Sequence, residues 1–531
     1  RAFDAQWLAA IDNTQLERIE KLLRQPAVGG ATPWQHTVLD AITYCSGQIL
    51  STGFAPELRL RMSPSARDAR PFHALTRDVE TLRAEVLRPD RDPAAVDAAA
   101  QQLRGRLDAC RHAVASVYTH LEENGISVGL VFRLRQLRER VLRIRELLDC
   151  LMSTHPSASA VRLLSRLVLV GQERASVRAL ITSNSSLLAA KVAERSAETG
   201  EHYITRDWPQ YRSMLRKAAG GGALTGGTTL LKFMIMGLGL SAFWGGFWAG
   251  AMYAASFVVI QLLHCTLATK QPAMTAPAMA AKLKDIGTPE AVNAFVDEVA
   301  HLMRSQAAAV LGNVLVVFPV VLLLSVGIGL LLGHPMLSAK DAAYTLHSLS
   351  LLGPTLLFAG FTGCLLFASS IIAGWVENWF VLRRLDSAMR YNPGITGILG
   401  VERAGRWAHF MRNNISGFAS NISLGFMLGL IPPIMAFFSL PLEVRHVTLS
   451  AGQLAAASVA YGVQTVFMPA FWWAVAAIPL IGALNLGVSF YLAYKLALRA
   501  HNVSGVQRAH IHQAIWARWR HRPLNFFIPA G

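Results

Sequence analysis

The chain has 531 residues, of which 53% are hydrophobic and only 16% charged, with a mean hydropathy of +0.35. A soluble domain carries about a quarter charged residues, so this composition excludes both a disordered chain and a wholly soluble enzyme. The net charge of +17 is unevenly spread: residues 1–222 hold 31 Lys+Arg against 24 Asp+Glu, and the remaining 309 residues hold 19 against 9. The first part is a charged, soluble half; the second is apolar, with its charges clumped between long hydrophobic runs. Its +10 is what cationic loops beside membrane spans provide, which leaves +7 to argue for nucleic acid.

In the first half, apolar residues recur at helical spacing from Phe3 to Arg24, and Pro26 with Gly29 and Gly30 ends the pattern. Pro33 starts a second segment running to about Thr52, and residues 59–71, with Pro64 and four arginines, read as a polar linker. Further helical patterns cover about 73–87, 94–123, 127–152 and 157–198. No useful run of period-two alternation occurs, so the half reads as an all-α bundle. Its most basic element, 130–148, carries Arg133, Arg135, Arg138, Arg140, Arg143 and Arg145, with Glu139 and Glu146 placed to pair along the helix. We read it as an ion-paired bundle helix, with a face for nucleic acid or anionic lipid as the alternative.

From Ala223 to Ala268 only Lys232 is charged, and a span needs about 20 residues, so this stretch predicts two helices turning near Trp244 and Trp248. Later spans are expected at about 307–332, 351–376, 415–440 and 471–496. Residues 449–468 are apolar but contain Gln453, Ser458, Gln464 and Thr465. Counting them as a span gives seven; omitting them gives six. The loop with Arg383, Arg384, Arg390, Arg403, Arg406 and Arg412 and the tail with Arg499, Arg508, Arg518, Arg520 and Arg522 both belong in the cytoplasm, which requires six. Residues 449–468 then form an outer-leaflet, re-entrant or half-spanning helix. The expected organisation is all-α: a cytoplasmic helical domain over 1–218, a membrane domain over 219–498 with cytoplasmic connections near 269–305 and 381–414, and a basic tail over 499–531. Within the first connection, residues from Val292 to Met303 form one apolar helical face suited to a membrane surface or to docking.

Cys45, Cys110, Cys150, Cys265 and Cys364 are widely spaced, and no CxxC pair occurs, which fits free thiols and no zinc site. No signal peptide is visible, and the opening at Arg1 without Met leads us to expect residues before it.

The junction GEHYITRDWPQYRSMLRKAAGGGALTGGTTLLK at 200–232, TKQPAMTAP at 269–277 and ENGISVGLVFRLRQLRERVLRI at 123–144 give the chain a resemblance to a known family. It resembles, over nearly its whole length, bacterial inner-membrane proteins that carry the name site-specific recombinase and are typified by a gonococcal protein. The resemblance implies a multi-pass inner-membrane location and a recombinase label, with no assigned catalytic residues to transfer. The residues themselves offer little strand-exchange chemistry. His301 with Arg304 and His409 with Arg412 form His-x-x-Arg pairs, but 16 His and 41 Arg give about one such pair by chance. Tyr461, Tyr491 and Tyr494 lie in or near the bilayer, and no α/β domain supports the serines of TSNSS at 182–186.

The candidate functional residues are Lys232, an ionisable group inside an apolar run, Glu377 as its counter-ion, and Lys270, Gln271 and Pro272 of the 269–277 motif. The alternative for Lys232 is a stem that snorkels to the interface. GGGALTGG at 220–227 lacks the GKS or GKT of a phosphate loop and reads as a flexible junction feeding a closely packed helix. Gly246/Gly250, Gly329/Gly333 and Gly425/Gly429 are small residues four apart, suited to close helix contact. His501, His510, His512 and His521 of the tail lack neighbouring Cys or carboxylates, so neither a metal nor a cofactor is expected. The sequence thus favours a non-catalytic membrane component in transport, lipid handling or scaffolding; the rival is a membrane-associated DNA recombinase. The expected partners are a bilayer with anionic lipids and a second copy of the chain, with nucleic acid less favoured.

Overall fold

A computed structural model describes residues 7, 10–23, 31–119, 128–153, 156–175, 204–267, 279, 289–500 and 505–529. Every regular element among them is an α- or 3-10 helix, as the all-α reading expects. The chain divides into two compact units, Arg1–Leu188 and Ala189–Gly531.

The first unit comprises α1 (Asn13–Leu23), α2 (Pro33–Gly53), α3 (Pro56–Arg59), α4 (Pro64–Asp68), α5 (Pro71–Leu87), α6 (Pro93–Thr119), α7 (Val128–Met152) and α8 (Pro156–Ala175). α2 to α6 and α8 each begin with a proline, where the missing N–H costs nothing. Apolar residues three and four apart form the shared core: Leu75, Val79, Leu82 and Val86 of α5 meet Leu103 and Leu107 of α6 and Leu134, Leu137, Val141, Ile144 and Leu148 of α7. The expected linker at 59–71 is instead largely structured. Pro56 and Pro64 start the short helices α3 and α4, and the Ser63 hydroxyl caps α4 by accepting from the Ala66 N–H at 3.3 Å.

The basic helix α7 is an ion-paired bundle element. Arg133 reaches Glu57 at 3.1 Å, Arg145 reaches Asp108 at 3.0 Å, and Arg143 lies 3.4 Å from Glu146. Two of these pairs join α7 to other helices, a tie that spacing along one helix could not reveal. Asp78, 1% exposed, is held by Arg106 Nε and Gln102 Nε2, both at 2.8 Å. Burial pushes the Cys110 thiol up to about 12.

The second unit comprises α9 (Trp208–Gly237), α10 (Ala242–Leu262), α11 (Pro289–Leu332), α12 (Ala339–Ser348), α13 (Thr355–Leu382), α14 (Leu385–Tyr391), α15 (Pro393–Leu399), α16 (Val401–Phe437), α17 (Val447–Tyr461), α18 (Pro469–Ala500) and α19 (Gly505–His521). Among the described residues, five helices are long and apolar enough to cross a membrane: α10, Val292–Leu332 of α11, α13, α16, and Pro469–Leu496 of α18. The expected first span falls in the second half of α9, where glycines, threonines and Lys232 dilute the apolar character. That helix continues unbroken through the expected junction at 218/219.

Neighbour contacts order the long helices α9–α10–α16–α13–α18, and α11 returns to α9. The half-length α17 sits between α11 and α18 and closes the ring. The crossing of α10 and α16 depends on glycine. A Cβ on Gly429 would lie 2.4 Å from the Gly250 N and 2.5 Å from the Gly246 O, and one on Gly425 would lie 2.4 Å from the Ala254 N. The pairs Gly246/Gly250 and Gly425/Gly429 are therefore the two sides of one contact between α10 and α16. Gly329 and Gly333 make no such crossing; Gly333, at φ +74°, ends α11 instead.

Candidate functional site

The centre of the ring is built by a segment that dives into the bundle and returns. After α16, residues 440–446 carry no regular structure and become buried from Arg445 onward. The 15 residues of α17 climb back about 22 Å. Both ends of the excursion lie beside α12: the Tyr344 hydroxyl donates to Glu443 at 3.2 Å, and the Tyr461 hydroxyl donates to the Ala339 carbonyl at 2.9 Å. Residues 449–468 accordingly form a buried half-length helix over Val447–Tyr461 followed by a 3-10 turn over Gly462–Phe467. Residues 447–458 are buried except for partial exposure at Gln453, so the segment's small and polar residues face protein.

Irregular backbone inside a membrane-type bundle needs partners from side chains. Three polar residues on three helices supply them. Asn485 of α18 accepts the Val447 N–H at 3.0 Å and donates to the Arg445 and Ala359 carbonyls, both at 2.9 Å. The Thr362 hydroxyl of α13 accepts the Arg445 N–H at 2.8 Å. Asn313 of α11 donates to the Ala218 carbonyl at 2.7 Å and the Thr266 carbonyl at 2.9 Å, while its oxygen accepts from the Thr448 hydroxyl at 3.3 Å. Asn313 thus joins the start of α17 to the irregular stretch after α10.

The glycine-rich run lies at this point and is helical throughout. A Cβ on Gly221 would meet the Thr266 carbonyl at 2.3 Å, and one on Gly222 the Asn313 carbonyl at 2.5 Å. GGGALTGG is therefore a helix surface stripped of side chains for close approach.

Arg445 is 8% exposed, and its guanidinium is fully used. It donates to the Ser348 carbonyl at 3.0 and 3.2 Å and to the Val444 carbonyl at 2.9 Å, pairs with Glu443 at 2.6 Å, and lies over the Phe358 ring. The charge is thereby compensated, as a buried guanidinium must be.

On the far side of Asn485 the satisfaction stops. The Ser489 hydroxyl, wholly buried, and both amide atoms of Gln306, 8% exposed, have no hydrogen-bond partner among the described residues. Val310 of α11 lies 3.6 Å from a Cβ position on Gly482 of α18. Ser489 stands one turn along α18 from Asn485, and Gln306 two turns along α11 from Asn313.

Of the expected candidates, Lys232 and Glu377 are not brought together. The charged groups acting on Lys232 are Arg445 and Glu443, and the Arg445 backbone is held by Thr362. Glu377 lies 15 residues further along α13 than Thr362, or about 22 Å. Lys270, Gln271 and Pro272 lie outside the described residues, as do TSNSS and His501. Arg304 donates to the Asn525 and Arg206 carbonyls, and His301 lies 3.7 Å from Glu298. No group of three or more His, Cys, Asp or Glu able to hold a metal occurs among the described residues. Asn313, Asn485 and Arg445 were not singled out from sequence, although a lone Asn within a span is a signal of the same kind as Lys232.

These features define a polytopic helical membrane protein with a half-length helix at the centre of its bundle. Residues 1–529 match the family described as Site-specific recombinase, and the chain belongs to that family. No curated protein and no solved structure matches it.

Proposed function

We propose that the second unit handles a small polar solute without covalent catalysis, in a transport-like role, at the start of α17. One observation carries this reading: Ser489, one turn from Asn485, and Gln306, two turns from Asn313, hold buried polar atoms without partners among the described residues. Buried polar atoms in proteins are nearly all satisfied, so these require a water or a solute. A half-helix opening at the middle of a bundle is also the arrangement in which transporters bind their cargo. In this reading the protein is a bacterial inner-membrane protein with six crossings, α17 re-entrant and the first unit cytoplasmic. The arginine-rich 383–412 connection then faces anionic lipid, and two copies can associate through the apolar outer faces. Lys232, Lys270, Gln271 and Pro272 remain candidates for contact with the solute, and Glu377 for a role at the other end of α13.

The test is access. With the full chain in nanodiscs, Ser489→Cys reacts with a small water-soluble thiosulfonate, and Leu480→Cys, 42% exposed on the outer face of the same helix, does not. Reaction at neither position, or at both equally, refutes a polar path.

The family name supports a second reading, a membrane-associated DNA recombinase. Sequence-selective DNA binding with a steep salt slope, together with recombination lost on replacing one Tyr or Ser, would establish it over the first.

A further inference from the structure

The first unit contains a cavity of about 330 Å³ between the end of α2 and the start of α5, walled by the α3–α4 turn. Its lining carries Arg59, Arg67 and Arg70 with Asp68 as the only acid, and Phe54 meets His73 edge-on at 4.3 Å on its wall. Several arginines of the long helices are matched to acids, as in Arg83 with Asp40, Arg104 with Asp149, Arg106 with Asp78 and Arg145 with Asp108. Arg59, Arg67 and Arg70 have no ion pair or side-chain hydrogen bond among the described residues.

Arg70 adopts φ +44°, ψ +47°, the left-handed conformation that commonly ends a helix, and its N–H donates to the Arg67 carbonyl of α4 at 3.3 Å. It also occupies the N-cap position of the 17-residue helix α5 without a side-chain cap, so the positive end of α5 opens on the same cavity.

We propose that this cavity binds a phosphorylated small molecule, its phosphate groups held by Arg59, Arg67 and Arg70 at the start of α5. Guanidinium groups match phosphate oxygens two at a time, and three of them suit a di- or triphosphate better than a single carboxylate. The Phe54–His73 pair offers an apolar edge for the rest of the molecule. The site is independent of the solute path proposed for the second unit.

The test uses the full chain in zwitterionic nanodiscs, titrated by calorimetry with inorganic pyrophosphate and with ATP. Wild type binds at least one of them. Arg67→Gln weakens that binding at least tenfold, whereas Arg138→Gln, an exposed arginine on α7, leaves it unchanged. Arg70→Gly separates ligand from fold: it relieves the left-handed backbone and raises the melting temperature, yet weakens binding at least tenfold. Four outcomes overturn the proposal: no binding of either probe at millimolar concentration, equal losses in Arg67→Gln and Arg138→Gln, binding only to vesicles of anionic lipid, or binding only to duplex DNA.

Discussion

Asn485→Leu probes the support under the diving segment. The replacement keeps the side chain's size but removes one acceptor and two donors, which now serve the Val447 N–H and the Arg445 and Ala359 carbonyls. Ala359 lies within α13, so its carbonyl keeps its helical bond and contributes little. Val447 N–H and the Arg445 carbonyl belong to irregular, buried backbone with no water to replace the amide. At about 1–3 kcal/mol for each buried group left unpaired, tempered by the smaller values of about 0.6 kcal/mol on average found in bilayers, the loss is about 2–4 kcal/mol. Ser489 is the internal control, one turn away on the same helix and equally buried, but with no partner to lose. Ser489→Ala changes stability by less than about 0.5 kcal/mol, because its hydroxyl has no hydrogen bond to a described residue to lose. Equilibrium unfolding of the full chain in mixed micelles, followed by tryptophan fluorescence, measures both. Wild-type stability in Asn485→Leu, or an equal loss in Ser489→Ala, refutes the assignment of Asn485 as the support.

Gly429→Ala forces a contact of 2.4 Å out to the ordinary 3.4 Å, so α10 and α16 must part by 1.0 Å. The expected loss is about 1–3 kcal/mol, whereas Gly245→Ala, with open space around it, is neutral or stabilising by up to about 1 kcal/mol; the same unfolding assay checks both. In the first unit, Asp78→Ala leaves Arg106 and Gln102 without their acceptor and lowers stability by about 1–3 kcal/mol, measured by thermal unfolding. The Cys110 thiol, at about 12 when folded against 9.0 ordinarily, ionises more readily in the unfolded chain. Stability therefore falls as pH rises above 9, by up to about 1.4 kcal/mol per pH unit, and Cys110→Ala removes that part of the slope. The same thiol is buried and held protonated by that burial, so at pH 8 maleimide labels Cys110 only after unfolding.

The amphipathic helices of the first unit were legible because burial follows the helical period. Leu75, Val79, Leu82 and Val86 mark one face whatever their partner is. The glycine pairs were legible for a similar reason: small residues four apart leave one helix face bare, and only their mutual contact needed the structure. The α3–α4 turn was not legible, because Pro and Arg suggest a linker unless one sees that Pro56 and Pro64 each start a helix. Lys232 and Glu377 are not brought together, because an apolar run shows that each stands in a span but not that the two stand at one level. The functional centre was hidden for a related cause. Asn313 and Asn485 each interrupt an apolar run only once, and their meaning depends on irregular backbone more than 30 residues away.

Side-specific labelling decides whether α17 turns back or crosses. In a cysteine-free background, Ser439→Cys and Val463→Cys flank the excursion, and Ser387→Cys marks the opposite end of α13. A membrane-impermeant maleimide applied to sealed vesicles of known orientation labels 439 and 463 from the same side and 387 only from the other. Labelling of 439 and 463 from opposite sides would make α17 a seventh crossing and remove the half-helix on which the solute site depends.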